Sequence, residues 1–152
     1  MWQRIQTLWW LLAIVAMGLF STQAILLYTA AGELLPEYAL HSYGVQALAD
    51  GQTTESNYLV AILSGVSIAL SAISILIYKM RTFQFRLSVL NCIVLLASLC
   101  AVAYLGYLVP EGVSVGITVW LSMPLVALIL QLMAIRGVLK DEMLVRMSNR
   151  IR

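Results

Sequence analysis

Residues 58–108 read YLVAILSGVSIALSAISILIYKMRTFQFRLSVLNCIVLLASLCAVAYLGYL. Two apolar runs, 58–78 and 87–108, flank a short link that carries Lys79, Arg81 and Arg86. As helices rising about 1.5 Å per residue, each run is long enough to cross a hydrocarbon core of about 30 Å. The stretch therefore reads as a membrane hairpin with a basic turn. Working outward, a third run occupies 5–28 and a fourth 115–135. The remaining bases sit at the outer ends of these two: Arg4 before the first, and Arg136, Lys140, Arg146, Arg150 and Arg152 after the last. The other two connections hold Glu33, Glu37, Asp50, Glu55 and Glu111, with no Lys or Arg. Because basic flanks stay in the cytoplasm, the pattern predicts both termini inside, with a long loop over 31–57 and a short one outside.

A chain of 152 residues that is 62% hydrophobic and 11% charged, with a mean hydropathy of +0.93, is too apolar for a soluble domain. Four spans of about 20 residues leave no length for an appended catalytic domain. The first run is longer than the core of a secretory signal and three more spans follow, so it is expected to be retained. On the inner face nine bases meet only Asp141 and Glu142. Each Lys or Arg near an anionic membrane surface contributes about 1 kcal/mol, so anionic lipid is the expected partner there, alongside a protein partner in a membrane complex. Nucleic acid is not expected, since position at span ends already accounts for these bases.

Within 58–78, Ser64, Ser67, Ser71 and Ser74 fall in an arc of about 80° at 100° per residue. Ala61, Gly65, Ala69 and Ala72 fill the adjoining arc, and Ile62, Val66, Leu70, Ile73 and Ile77 take most of the rest. Helices in lipid associate through close approach over small residues and through interhelical hydrogen bonds, so both small faces are expected to meet neighbours. Asn91, with Ser88 and Ser98 on the same side of the third run, needs a partner helix, because an unpaired amide in hydrocarbon costs several kcal/mol. Gln131 is expected to make a packing hydrogen bond near the inner end of the fourth. The predicted helix-packing set is thus Ser64, Gly65, Ser67, Ser71, Ser74, Asn91, Ser98 and Gln131. Pro124 removes a backbone donor and predicts a kink. Trp2, Trp9, Trp10, Tyr28, Tyr58, Tyr78, Tyr107 and Trp120 lie at or near span ends, where amphipathic rings anchor at the headgroups.

In the outer loop, alternation over residues 37–45 suggests a strand, with Gly32, Pro36 and Gly51 as turn points. The tail has no Pro or strong breaker, so the last helix is expected to continue through 136–152, presenting Arg136, Lys140, Arg146 and Arg150 among Leu139, Met143 and Met147.

Chemistry is excluded more readily than assigned. His41 is the sole histidine and lies outside the spans, so haem has no intramembrane histidine ligand, and the carboxylates scattered around it do not make a metal site. Cys92 and Cys100 are about 12 Å apart along a helix, too far for a disulfide. The intramembrane serines have no base beside them, and no phosphate-cradling glycine loop or zinc spacing is present.

Three stretches carry a likeness: residues 1–8 (MWQRIQTL), residues 77–91 with IYKMR, QFRL and Asn91, and residues 140–152 with KDEMLVR and NRIR. Together they resemble a family of small four-span bacterial membrane proteins, mainly from the Bacteroidetes group, described as domain of unknown function 4293. The chain departs from that pattern at Trp2 and at Ser148 and Asn149. The resemblance implies a bacterial inner-membrane location and draws attention to the cytoplasmic face.

The expectation is therefore an all-α membrane protein: an antiparallel four-helix transmembrane bundle with a long outer loop that has room for a short β-hairpin. It is expected to be no enzyme, to carry no cofactor or metal, and to act as a structural or accessory component of a membrane assembly. The alternative is a small transporter or channel with a polar path along spans two to four. The expected lipid or partner contact is the inner-face set Arg4, Lys79, Arg81, Arg86, Lys140, Arg146 and Arg150.

Overall fold

Four helices form where the apolar runs must hide their own peptide groups from lipid, which a helix does within one segment. They are α1 (Trp2–Thr22), α2 (Leu59–Leu76), α3 (Arg81–Tyr107) and α4 (Met123–Arg150), and each contains an apolar stretch long enough to cross a membrane. The computed structural model describes the backbone of residues 2–150 except 31, 33, 34, 78, 79, 110 and 111, and the side chains of that set except 2–4, 81, 142, 144–146 and 148–150. α1 packs on α2 and α4, and α3 on the same two. The bundle is thus a ring of antiparallel neighbours joined by short or local connections.

The all-α expectation is overturned by a five-stranded antiparallel sheet at one end of the bundle. Its strands are β1 (Leu26–Ala30), β2 (Tyr38–His41), β3 (Gly44–Ala47), β4 (Thr53–Ser56) and β5 (Val113–Ile117), in the order β4-β3-β2-β1-β5. Two of the strands come from stretches expected to be helical. Residues 26–28 close the first apolar run and 115–117 open the fourth. Instead of lengthening α1 and α4, they pair with each other, Leu26 opposite Ile117 and Tyr28 opposite Val115. A short apolar run has no periodicity that separates strand from helix; here length decides, since α1 has already crossed the membrane by Thr22.

The alternation over 37–45 is a hairpin, β2 and β3 around Ser42 and Tyr43, in place of one strand. Gly44 is what lets it turn. Its φ is 145°, and a Cβ there would run into the Glu55 carbonyl oxygen of β4. A 3₁₀ turn (Val119–Ser122) links β5 to α4. Pro124 consequently sits in the first turn of α4, where the missing N–H has no helical acceptor to satisfy. The expected kink becomes a helix start.

Hydrogen bonds fasten the sheet to the bundle. The Ser42 hydroxyl donates to the Ser21 carbonyl at the end of α1 (2.6 Å), and the Ser42 carbonyl accepts the Ala61 N–H (3.0 Å), one of the first-turn donors of α2 that no helical carbonyl can reach. On the other side, the Thr118 hydroxyl lies 2.7 Å from the Ala24 carbonyl and 2.8 Å from that of Ile25. Leu26, Tyr28 and Leu40 then join Met17, Phe20, Leu95, Val102 and Ala127 in one apolar cluster spanning sheet and bundle. A second cluster, Trp10, Ala134 and Val138 with Ile75 and Phe85 against it, fills the opposite end of the bundle.

Candidate functional site

Buried polar side chains form a belt along the bundle interior, interleaved with the first apolar cluster and reaching toward the second. Ser64, Ser67, Ser71 and Ser74 on α2, Asn91 and Ser98 on α3, and Gln131 on α4 are each no more than 2% exposed. Gly65 departs from that set. It is exposed, with open space where a Cβ would stand, and Ala69 beside it is exposed too. α2 does have two neighbours, but its serine face serves both, so Gly65 and Ala69 are left on the outside while Ala61 and Ala72 are half-buried.

The belt is partly self-satisfied. The Asn91 amide donates to the Ser71 hydroxyl (2.8 Å), and the Gln84 amide donates to the Ser74 carbonyl (2.8 Å) across the α2–α3 turn. Ser64, Ser74 and Ser98 donate to carbonyls one turn back on their own helices. Among the described residues six buried side-chain atoms have no protein partner: Asn91 Oδ1, Ser88 Oγ, both polar atoms of Gln131 and Trp10 Nε1 within the bundle, and His41 Nδ1 on the sheet. From the helix rise of about 1.5 Å per residue, Ser88, Asn91, Trp10 and Gln131 sit at similar depth. Trp10 corrects an expectation. Its ring is in the second apolar cluster, 1% exposed, and does not anchor at the headgroups. Sequence reasoning also missed the burial of Gln84 and Gln6, polar residues near basic span ends whose composition reads as solvated.

At the end of the bundle holding the chain termini, the Gln6 amide donates to Asp141 Oδ2 (2.9 Å) and lies over Gly137, where a Cβ would meet Gln6 Cγ at 2.8 Å. This fixes the first turns of the tail against α1. A crevice of about 200 Å³ opens beside the contact, lined by Ile5, Gln6, Trp9, Met133, Arg136 and Lys140. It pairs apolar walls with two cations. Arg86 and Lys140 are exposed. Lys79 and the side chains of Arg4, Arg81, Arg146 and Arg150 lie outside the described residues. α3 starts at Arg81, so that base opens a helix instead of a loop. A helix N-terminus disfavours cations by about 0.3–1 kcal/mol, comparable to what a base gains at an anionic surface.

The sheet shapes a second concavity that the sequence did not announce. Residues directly opposite each other share a face, which gives one row of Glu55, Val45, Leu40, Leu26 and Ile117, and a second of Ala47, Tyr38, Tyr28 and Val115. Against this face stands the end of α3. A cleft of about 430 Å³ lies between them, with Tyr28, Tyr38, Leu40 and Glu55 on the sheet side and Leu105, Leu108 and Val109 on the other. Tyr28, expected as an anchoring ring, is 8% exposed here. Burial, with the Glu55 carboxylate adding to it, pushes its phenol above the usual 10.0. Elsewhere on the sheet His41 stacks on Tyr43, ring centroids 5.5 Å apart, and burial lowers its imidazole below 6.5. Among the described residues no group of His, Cys, Asp and Glu is placed to hold a metal.

Residues 2–151 match the family described as Domain of unknown function (DUF4293), and the chain belongs to it. No curated protein and no solved structure matches.

Proposed function

We propose, for a member of that family whose four helices are each able to cross a membrane, that the protein is a structural or accessory component of a membrane assembly. We place it in the inner membrane of a bacterium, termini in the cytoplasm and sheet outside. The observation that carries this reading is how the bundle uses its polar residues. Asn91, Gln84, Ser64, Ser71, Ser74 and Ser98 bond to neighbouring helices or to their own backbone, and among the described residues no Lys, Arg, His, Asp or Glu is buried. Transport sites ordinarily place an ionisable group within the spans. The charge pattern supports the orientation, and the crevice with Arg136 and Lys140 over Ile5 and Trp9 is suited to an anionic lipid headgroup, as part of a basic inner face with Arg4, Lys79, Arg81, Arg86, Arg146 and Arg150.

The unpartnered polar atoms of Asn91 and Gln131 favour a second reading, a small transporter with a polar path through those two residues. One experiment separates the two. The tagged chain is purified in mild detergent from bacterial membranes, unmodified and with Arg146→Glu and Arg150→Glu. The expected result is a stoichiometric protein partner, or retained anionic lipid, that the reversed tail loses. Recovery of the chain alone, with solute flux in proteoliposomes that Gln131→Leu abolishes, would replace this reading with the transporter.

A further inference from the structure

The cleft between the sheet and the end of α3 brings together features that no structural duty of the sheet requires. Its walls are apolar on both sides, Leu40 and Val45 facing Leu105 and Leu108, yet Glu55 projects from the same row of the sheet. Glu55 is solvent-exposed at the rim of the cleft, and a charge on an edge strand discourages pairing with other chains, which alone would explain an acid at this position. It does not explain a cleft of about 430 Å³ beside it. Nor does it explain the neighbours. The last turn of α3 ends at Tyr107, with Leu105 in the wall, so the negative end of a 27-residue helix borders the same space. Tyr28 and Tyr38 line it as directly opposed partners, and aromatic rings attract cations. Every connection on this side of the molecule, residues 23–57 and 108–122, lacks Lys and Arg, so no cation of the chain's own answers Glu55 there.

We propose that this cleft binds a membrane amphiphile with an ammonium head. The ammonium sits at Glu55, on the side of the cleft toward Tyr28 and Tyr38, and the apolar body lies along Leu40, Leu105 and Leu108. The bilayer is the source, because the cleft stands where α3 leaves its span, and Tyr104, Tyr107 and Leu108 around that exit are exposed, Tyr107 to 85%. A soluble polar amine would find walls it cannot wet, and an anionic head would meet a carboxylate and a helix C-terminus.

The full chain in neutral maltoside micelles is titrated with hexylammonium and with 1-hexanol, and bound ligand is read by saturation-transfer NMR. Hexylammonium should bind about tenfold more tightly than hexanol, the difference a charge-assisted hydrogen bond supplies. Glu55→Gln should erase that preference while hexanol binding stays. Leu108→Trp, which fills the cleft and leaves Glu55 in place, should weaken both. Phosphatidylethanolamine added to the micelles should displace hexylammonium, and phosphatidylglycerol should not. Equal affinity for the two hexyl probes in the unmodified protein, or a preference that survives Glu55→Gln, would overturn the ammonium site. Hexylammonium that phosphatidylethanolamine fails to displace would overturn the bilayer as its source. If Glu55→Gln does not fold, the hexylammonium-to-hexanol ratio and the Leu108→Trp arm decide.

Discussion

The bundle and the sheet are joined by different kinds of chemistry. In the bundle, side chains do the joining: Asn91 to Ser71, Gln84 to the Ser74 carbonyl, Gln6 to Asp141. In the sheet, backbone pairs with backbone through five strands, and side chains decide only which face turns inward. A side-chain joint tolerates a change of partner and is priced by one bond, whereas a backbone joint depends on where the chain itself can go. The two regions should therefore fail differently when disturbed.

The largest effect is expected where backbone is hemmed in by backbone. Gly44→Val forces a branched side chain onto a φ of 145° and into the Glu55 carbonyl, at a cost of about 3 kcal/mol. Hydrogen exchange should accelerate at β3 and β4 amides while α2 and α3 amides keep their protection. Uniform acceleration would mean that the two regions are one cooperative unit and that the contrast is false.

Next comes a contrast inside the bundle. Ser67→Leu overpacks a site that is 1% exposed and should cost about 1–3 kcal/mol. Gly65→Leu, one residue pair away on the same helix but facing open space, should stay within about 0.5 kcal/mol of the unmodified protein. Equal losses in a detergent unfolding assay would put both faces of α2 against neighbours.

A smaller effect tests whether the belt is priced bond by bond. Ser71→Ala removes the acceptor of the Asn91 amide, and interhelical bonds of this kind average about 0.6 kcal/mol. Pairing it with Asn91→Leu should be no worse than Ser71→Ala alone, because the unpartnered Asn91 Oδ1 disappears as well. A strictly additive loss in the double variant would argue against this.

The smallest is a pH response confined to the sheet. Burial holds the His41 imidazole below 6.5, so the unfolded chain takes up the proton first. The sheet keeps its full stability above pH about 6.5, loses part of it as pH falls through that value, and stops losing once the folded form is protonated too. The protection of β2 amides, taken relative to their intrinsic exchange rate at each pH, should fall on acidification, and a His41→Gln variant should not show that fall.

What could be read from residues alone follows the same division. Membrane helices declare themselves because lipid leaves the backbone one economical solution, and the serine stripe of α2 is visible from spacing. Gly65 shows the limit. Smallness permits a neighbour without requiring one, and only the polar stripe had to be hidden. Leu26 to Tyr28 and Val115 to Ile117 read as helix because apolarity is all they display; their strand state depends on a partner far away in sequence. The cleft was illegible for the same reason. Glu55, Tyr28 and Leu105 become neighbours only once the register of four strands and the length of α3 are known.

The pairing of β1 with β5 also sets an order of events during synthesis. The Ser114 hydroxyl reaches the Thr29 carbonyl 85 residues back along the chain. At about 5–20 residues per second, β1 waits on the order of 4–17 s for the strand that covers its open edge. Through that interval α2 and α3 are made and cross, so the sheet cannot close around a chain that has missed a crossing. β5 arrives on the correct side only after an even number of passes. Its seating beside β1, with Thr118 reaching the Ala24 carbonyl, therefore comes only after α2 and α3 have both been made.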